Sequence, residues 1–249
     1  MSDSVVVVTG ALTGIGEATA SAFAQRGNTV VVSGRHDDVG EQLARDLKRA
    51  GAADSLFIRA DVRFDREVVD LIDTTLNCFG CLDLAANNAG TEGRRGPIVE
   101  IGPTQYAETF GTDLLGTLLS MKHELRVMQR QGSGAIINVT SIFGDKGALN
   151  SALYVASKHA VIGLTRTAAL EAAPFGVRVN AIGPGHINTA MFARVAGSPD
   201  NQNAAAATIP QRRAGQPEEV ADTIVFMAGT QATYLTGQTL FLDGGVTAS

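Results

Sequence analysis

Residues 4–16 read SVVVVTGALTGIG. A run of β-branched residues passes straight into a turn marked by Gly10, Gly14 and Gly16, and a helical pattern starts inside that turn. Gly is selected where a backbone must turn sharply or approach a ligand closely. A strand, a Gly-rich turn and a helix, in that order, are what a phosphate-binding turn requires. Small residues let the backbone approach a diphosphate, and the helix N-terminus offers free N–H groups and the positive end of its dipole. The spacing is G-x-x-x-G-x-G rather than the commoner G-x-G-x-x-G.

Outward from this turn, short apolar runs alternate with amphipathic stretches. The pattern predicts strands at Ser4–Thr9, Thr29–Ser33, Ser55–Arg59, Leu82–Ala86, Ala135–Thr140, Arg178–Ile182 and Thr239–Leu242. It predicts helices near Gly14–Arg26, Asp37–Ala50, Asp65–Phe79, Pro103–Arg130, Ala152–Ala173 and Pro217–Met227. This βαβα alternation predicts an α/β fold, a parallel sheet covered by helices on both faces. No composition break divides residues 1–249, so one domain is expected, and no internal repeat is present. Residues 185–215 break the rhythm with an aperiodic stretch containing SPDNQNAAAAT. This segment follows a strand's carboxyl end, where α/β sheets bind ligands, and it reads as a substrate-binding lid.

Bulk properties narrow the function. The net charge of −5 and the lack of a dense Lys/Arg stripe argue against nucleic-acid binding. No apolar run approaches the about 20 residues of a membrane span. The start, MSDSVVVVTG, lacks a basic n-region, so a cytoplasmic protein without a signal peptide is expected. The only cysteines, Cys78 and Cys81, form one CxxC. A zinc site of the double-CxxC type needs a second pair, so two reduced thiols and no metal are expected.

The second strand ends VVVSGRHD, residues 30–37. In the NAD version of this architecture an acid about 20 residues past the turn grips the adenosine ribose. Gly34 leaves that position empty, and Arg35 offers a planar, permanently charged fork suited to a phosphate. The pocket is therefore expected to take the 2′-phosphate of NADP(H) rather than NAD(H). Asp37 and Asp38 suit the first turn of the next helix.

The stretch SALYVASK places Tyr154 and Lys158 four apart on one helix face, about 6 Å along the axis. A Tyr hydroxyl has a reference pKa of about 10. A nearby ammonium favours the phenolate, so such a pair can serve as a general acid/base. Earlier, the strand in GAIINVTS ends at Ser141, whose hydroxyl can hydrogen-bond a substrate oxygen.

T-G-x-x-x-G-x-G, then N-N-A-G (Asn87 to Gly90), Ser141, Y-x-x-x-K and P-G-x-x-x-T (Pro184 to Thr189) occur in order. From Ser4 to Gly245 the chain resembles the classical short-chain dehydrogenases/reductases. The resemblance implies a single Rossmann-like three-layer α/β/α sandwich with a seven-stranded parallel sheet. It implies that Gly10, Thr13, Gly14, Ile15 and Gly16 hold the cofactor diphosphate and that Asp61 and Val62 border the adenine. Asn88, Ala89 and Gly90 would support the central cofactor, with Pro184, Gly185, Ile187 and Thr189 at the nicotinamide end. Tyr154 would give a proton to the carbonyl during reduction. Lys158 would bind the nicotinamide ribose and lower the tyrosine pKa, and Ser141 would orient the substrate oxygen. The implied activity is hydride transfer between NADP(H) and a ketone or aldehyde or its secondary alcohol. The C-terminal YLTGQTLFLDGG resembles the family strand that packs at a subunit interface, which implies a homotetramer.

The chain departs from the family at one place. T-F-G-T-D-L-L-G puts Asp113 where the family carries Asn in the long fourth helix. The family residue helps bend the helix, and its main-chain carbonyl holds a water leading to the Lys. An ionised Asp113 would oppose the phenolate, whereas a partly buried one can stay protonated and donate a hydrogen bond. The expectation is a relay that survives with altered pH dependence.

The segments after Ser141 (Ile142, Phe143, Gly144), after Gly90 (Thr91, Glu92) and in the lid (His186, Met191, Phe192) are expected to line a mainly apolar substrate pocket. They predict a neutral small-molecule carbonyl or alcohol, with Arg94 and Arg95 close in sequence. A 3-oxoacyl-carrier reductase, a non-catalytic dinucleotide sensor, and an epimerase or dehydratase sharing Y-x-x-x-K are the alternatives. The full Ser141, Tyr154 and Lys158 set favours the reductase.

Overall fold

A computed structural model describes residues 4–248. The first three residues, on which the expected lack of a signal peptide partly rests, and residue 249 of the expected domain lie outside that range. The strands are β1 (Val5–Thr9), β2 (Thr29–Gly34), β3 (Asp54–Arg59), β4 (Leu84–Asn87), β5 (Gly134–Val139), β6 (Val177–Pro184) and β7 (Thr239–Leu242). They form one seven-stranded sheet in the order β3-β2-β1-β4-β5-β6-β7, and every pairing is parallel. The order reverses between β1 and β4. In an open parallel sheet the crevice at the carboxyl ends of such a strand pair is where ligands bind.

The helices are α1 (Gly14–Ala24), α2 (Asp37–Arg49), α3 (Asp65–Phe79), α4 (Pro103–Phe110), α5 (Gly116–Gln131), α6 (Ala152–Ala172), α7 (Ala190–Ala196), α8 (Pro199–Thr208) and α9 (Pro217–Ala228). Central strands of a parallel sheet are buried on both faces, so they read as unbroken apolar runs. All five residues of β1 are buried. Because strand side chains alternate, Val6 and Val8 join one core with Phe23 of α1, Leu47 of α2 and Ile224 of α9. Val7 joins the opposite core with Leu71 of α3, Met121 and Met128 of α5 and Ala168 of α6. The result is the expected three-layer sandwich.

Two segments differ from the sequence pattern. The helix expected over Pro103–Arg130 is interrupted by a π turn at Gly111–Leu115. Its 3.6-residue periodicity is nearly unchanged by one inserted residue, so the pattern carried no sign of the break. Residues 185–215 hold α7 and α8 rather than an aperiodic loop. Neither helix buries a residue, so neither needs an apolar stripe. The Ser198 cap, which accepts from Asn201 N–H at 3.2 Å, and Pro199 in the first turn were the available sequence signals.

A buried polar chain crosses the sheet beneath the site. Asn87 Nδ2 donates to Glu124 Oε2 and to Asn138 Oδ1, each at 3.0 Å, and Asn138 Nδ2 donates to Thr165 Oγ1 at 2.9 Å. Burial pushes the Glu124 carboxyl up to about 7.

Candidate active site

The Gly-rich turn is held from two sides. Asn88 Nδ2 donates to the Gly10 carbonyl at 2.9 Å, and Thr9 Oγ1 accepts from the N–H groups of Asn88 and Ala89. Gly10 and Gly14 sit at φ +60° and +59°, the left-handed region that favours glycine. A Cβ on Gly16 would stand 2.3 Å from the Gly10 carbonyl oxygen and 2.5 Å from Asn88 Nδ2. Thr13 precedes α1 in extended conformation, and its side chain does not cap the helix. The turn thus offers uncapped amide donors at a helix N-terminus, beside space that side chains would otherwise fill.

That space is a cavity of about 440 Å³ at the carboxyl ends of β1, β2 and β4. Gly10, Thr13, Gly14, Ile15, Arg35, Asp61, Val62, Asn88, Ala89, Gly90 and Thr189 line it, as the resemblance implied, and so do Leu12 and His36. Gly16 does not. It is buried under the turn and fixes its shape rather than facing a ligand. A Cβ on Gly34 would meet Leu12 Cγ and Cδ1 at 2.6 Å, so an acid there would require the Leu12 side chain to move. Arg35 is exposed on the wall and has no carboxylate within 4.0 Å among the described residues. Asp61 is already engaged: Arg63 Nε and Nη2 donate to its two oxygens at 2.9 and 2.6 Å. Those hydrogen bonds hold the Asp61 carboxyl below the usual carboxylate range, against its burial. Asp37 and Asp38 open α2. An elongated ligand with a diphosphate at the turn and a further phosphate at Arg35 fits these residues.

Ile15, Asn88, Gly90, Thr189 and Met191 also line a second cleft of about 260 Å³, so the two spaces adjoin. Ser141, Tyr154 and Lys158 meet there, with Pro184, Gly185 and Ile187. Ser141 follows β5 and is 6 % exposed. Its Oγ accepts from Phe143 N–H at 3.2 Å, and its proton has no acceptor among the described residues. Tyr154 lies in the first turn of α6, half-buried, with the Phe143 ring edge-on at 6.4 Å. Lys158, one turn on, is buried, with Nζ 5.5 Å from the Tyr154 ring centroid. Nζ donates to the Val139 carbonyl at 3.3 Å, and Thr140 Oγ1 donates to the Lys158 carbonyl at 2.9 Å. Thr91, Glu92, Phe143, His186, Met191 and Phe192 line the cleft as expected. Ile142 and Gly144 do not: Ile142 is buried, and Gly144 packs under Thr140 and Ile162.

Asp113 reaches this site from behind and lines neither space. It sits in the π turn, 1 % exposed, and its Oδ1 accepts from Thr91 N–H at 2.8 Å. A Cβ on Gly90 would lie 3.4 Å from both Asp113 Oδ1 and Lys158 Nζ, so only the Gly90 backbone separates the two groups. Ser157 Oγ stands 3.0 Å from Asp113 Oδ2 and 2.8 Å from the Tyr154 carbonyl oxygen. One hydroxyl proton cannot serve two acceptors fully. With Asp113 ionised, Ser157 Oγ donates to Asp113 Oδ2; with Asp113 protonated, Oδ2–H would donate to Ser157 Oγ and free Ser157 to donate to the Tyr154 carbonyl. Burial raises the Asp113 carboxyl above its usual range, against the opposing pull of Lys158. Its main-chain carbonyl accepts from Thr117 Oγ1 at 2.8 Å.

Asp113→Asn keeps this hydrogen-bond pattern, so its effect is one of charge. A carboxyl whose folded-state pKa is raised favours folding most below its unfolded value, near 3.8, and loses that contribution as pH climbs through the folded value. The Asn variant should therefore gain stability over the parent as pH rises above about 3.8. The gap stops growing once Asp113 is ionised. Urea unfolding across pH reads this, and parallel curves at all pH values would refute it.

The sequence missed the Ser157 and Thr91 bonds to Asp113, the Arg63 lock on Asp61, and the pair formed by Arg194 and Glu92. Arg194 Nε and Nη2 donate to Glu92 at 2.7 and 3.2 Å and hold that carboxyl below its usual range. Only N-N-A-G-T-E and the charge of the helical stretch hinted at these contacts. Cys78 lies in the last turn of α3 and is exposed; Cys81 lies beyond Gly80, where burial and Asp83 push its thiol up.

A family model described as enoyl-(acyl carrier protein) reductase matches residues 10–247. The chain is 42 % identical to cis-4-hydroxycyclohexanecarboxylate dehydrogenase of Sinomonas cyclohexanicum, over 99 % of this chain and 97 % of that protein. The crystal structure of levodione reductase matches with a TM-score of 0.97 at 30 % identity, covering 100 % of this chain and 99 % of the other. A variant of actinorhodin polyketide ketoreductase, with NADPH, matches with a TM-score of 0.94 at 31 % identity and 99 % coverage of both chains. The order of motifs, the sheet that carries them and these likenesses lead to one conclusion: the chain belongs to the short-chain dehydrogenase/reductase family, in its classical form.

Proposed function

We propose that the protein is an NADP(H)-dependent oxidoreductase that interconverts a small ketone or aldehyde and the corresponding alcohol. The observation that carries this reading is the meeting of Ser141, Tyr154 and Lys158 in a cleft that opens onto the Gly-rich cavity. When bound, NADPH supplies the hydride to the carbonyl carbon. The chain's residues do the rest. Ser141 turns its free proton to the carbonyl oxygen and Tyr154 Oη transfers its own proton there. The Lys158 ammonium stabilises the phenolate left behind, which is reprotonated from solvent. Asp113 acts as a positioning residue for Ser157 and the start of α6.

A silent dinucleotide sensor would need the Gly-rich cavity but not this trio. The relative named for a hydroxycyclohexanecarboxylate supports a small secondary alcohol or its ketone as the reacting group. NADP(H) is favoured by Arg35 on the cavity wall, by the Gly34–Leu12 contact, and by likeness to a ketoreductase solved with NADPH. Fluorescence titration of the parent should give tighter binding of NADPH than of NADH. Equal or tighter NADH would overturn the cofactor assignment and leave the fold intact.

Residues 185–215 act as a lid in this reading. Its ends are joined where Ile187 pairs with Gly215 and Gly215 N–H donates to the His186 carbonyl at 2.9 Å. Its helices bury nothing, as expected of a segment drawn from the low-stability end of a structure. Among the described residues no helix is long and apolar enough to cross a membrane. Family likeness favours a homotetramer as the working assembly, and the exposed Tyr106, Leu115, Leu118 and Leu170 leave apolar surface available for subunit contacts. Sedimentation should give about four times the chain mass, and a monomer mass would refute it.

A further inference from the structure

The cleft of about 260 Å³ holds one cation that the proposed reaction does not use. Arg95 lines it, on the loop between β4 and α4. The loop is held on both sides of the cleft. Gly96 N–H donates to the Asn150 carbonyl at 3.0 Å, just before α6, and Arg95 Nη1 donates to the Val195 carbonyl at 3.2 Å on α7. The loop itself is shaped by Gly93, at φ +65°, whose N–H donates to Thr91 Oγ1 at 3.2 Å. Arg95 and Arg194, which lines the adjoining Gly-rich cavity, differ in their partners. Arg194 is neutralised by Glu92. Among the described residues Arg95 has no carboxylate within 4.0 Å and no hydrogen bond besides that to Val195. Arg95 is exposed, so the four of its five N–H donors without a protein acceptor are open to solvent and to a ligand in the cleft. An arginine fork matches a carboxylate in two parallel hydrogen bonds. His186, which lines the same cleft, adds a second unused polar group: its Nδ1 is buried with no partner. A wholly neutral, apolar ligand would leave the buried His186 Nδ1 unserved and the exposed Arg95 with water alone.

We propose that Arg95 anchors a carboxylate and that the substrate is a small oxo-acid or the matching hydroxy-acid. Its carboxylate lies against the lid side of the cleft, and its carbonyl or hydroxyl lies at Ser141 and Tyr154. This rests on the carbonyl-reductase reading above and narrows it, in place of the neutral substrate expected from the sequence. The lid helix α7, through Val195, touches the same guanidinium, so a bound carboxylate joins the lid to the fixed loop.

The test measures NADPH-dependent reduction of the positional isomers of oxocyclohexanecarboxylate, each beside its methyl ester, in the parent, Arg95→Ala and Arg95→Lys. Calorimetric titration with cyclohexanecarboxylate runs in parallel, and unchanged NADPH affinity confirms that each variant is folded. The parent should prefer the acids. Arg95→Ala should raise the acid KM about tenfold or more, with kcat within about twofold and the ester KM unmoved. The same variant should weaken cyclohexanecarboxylate binding about tenfold or more, and Arg95→Lys should restore part of it. Equal use of acid and ester by the parent, or an Arg95→Ala variant that moves neither KM nor carboxylate binding, overturns the anchor. A parent that reduces neither acid nor ester removes the reductase reading instead. The calorimetric arm then still decides Arg95, because binding that survives Arg95→Ala overturns the anchor independently of turnover.

Discussion

Replacing Tyr154 with Phe is expected to lower kcat by about 10² to 10⁴ while NADPH binding stays within about twofold. The substitution removes one oxygen and keeps the ring. The ring contact with Phe143 and the place of the side chain in α6 therefore persist. What goes is the proton donor of the cleft. Lys158 cannot replace it directly, since its Nζ points to the Val139 carbonyl and is buried behind the tyrosine ring. Ser141 retains its free proton, but an unassisted serine hydroxyl is too weak an acid for the step. Steady-state reduction with NADPH, together with a fluorescence titration, separates the two effects. Equal loss of binding and turnover would place Tyr154 in a cofactor-holding role. Retained turnover would remove it from the chemistry, whereas a parent inert with every carbonyl offered would favour the sensor reading.

The second large effect is expected at Arg35. Arg35→Ala should weaken NADPH by roughly 10- to 100-fold and leave NADH nearly unchanged, since a charged hydrogen bond contributes about 1.5–3 kcal/mol and each 1.4 kcal/mol is about tenfold. The effect should shrink at high salt, because Arg35 is exposed and its charge is screened. The variant should not become an efficient NADH enzyme. The acid that would grip the ribose belongs at Gly34, and a Cβ there meets Leu12 at 2.6 Å. Gly34→Asp therefore needs a smaller residue at position 12 before it can serve NADH. An Arg35→Ala variant that binds both cofactors as the parent does would show that the guanidinium points to solvent.

Much of the molecule was legible in the chain. The seven strands fall within two residues of their expected bounds, because the central ones, buried on both faces, are near-continuous apolar runs that stand out between amphipathic helices. Tyr154 and Lys158 could be paired from spacing alone, because a helix fixes which residues share a face. Arg35 could be read because it sits directly after a strand, at a position the topology defines. Residues 185–215 were read as a loop because helices that bury nothing leave no periodic trace.

By itself, then, the sequence determined the sheet, the Gly-rich turn and the order in which the reacting side chains reach the carboxyl ends of the strands. These are local facts, set by periodicity, φ preference and motif spacing. Only the tertiary structure decided which charges meet. It placed Asp113 behind Gly90, with Thr91 and Ser157 on its oxygens, where burial raises its carboxyl above the usual range. It paired Arg194 with Glu92 across 102 positions and left Arg95, on the cleft wall, without a carboxylate partner among the described residues. Charge partners are set by distances in space between segments far apart in the chain. No one-dimensional pattern encodes those distances, whereas burial and hydrogen bonding in the folded state fix them.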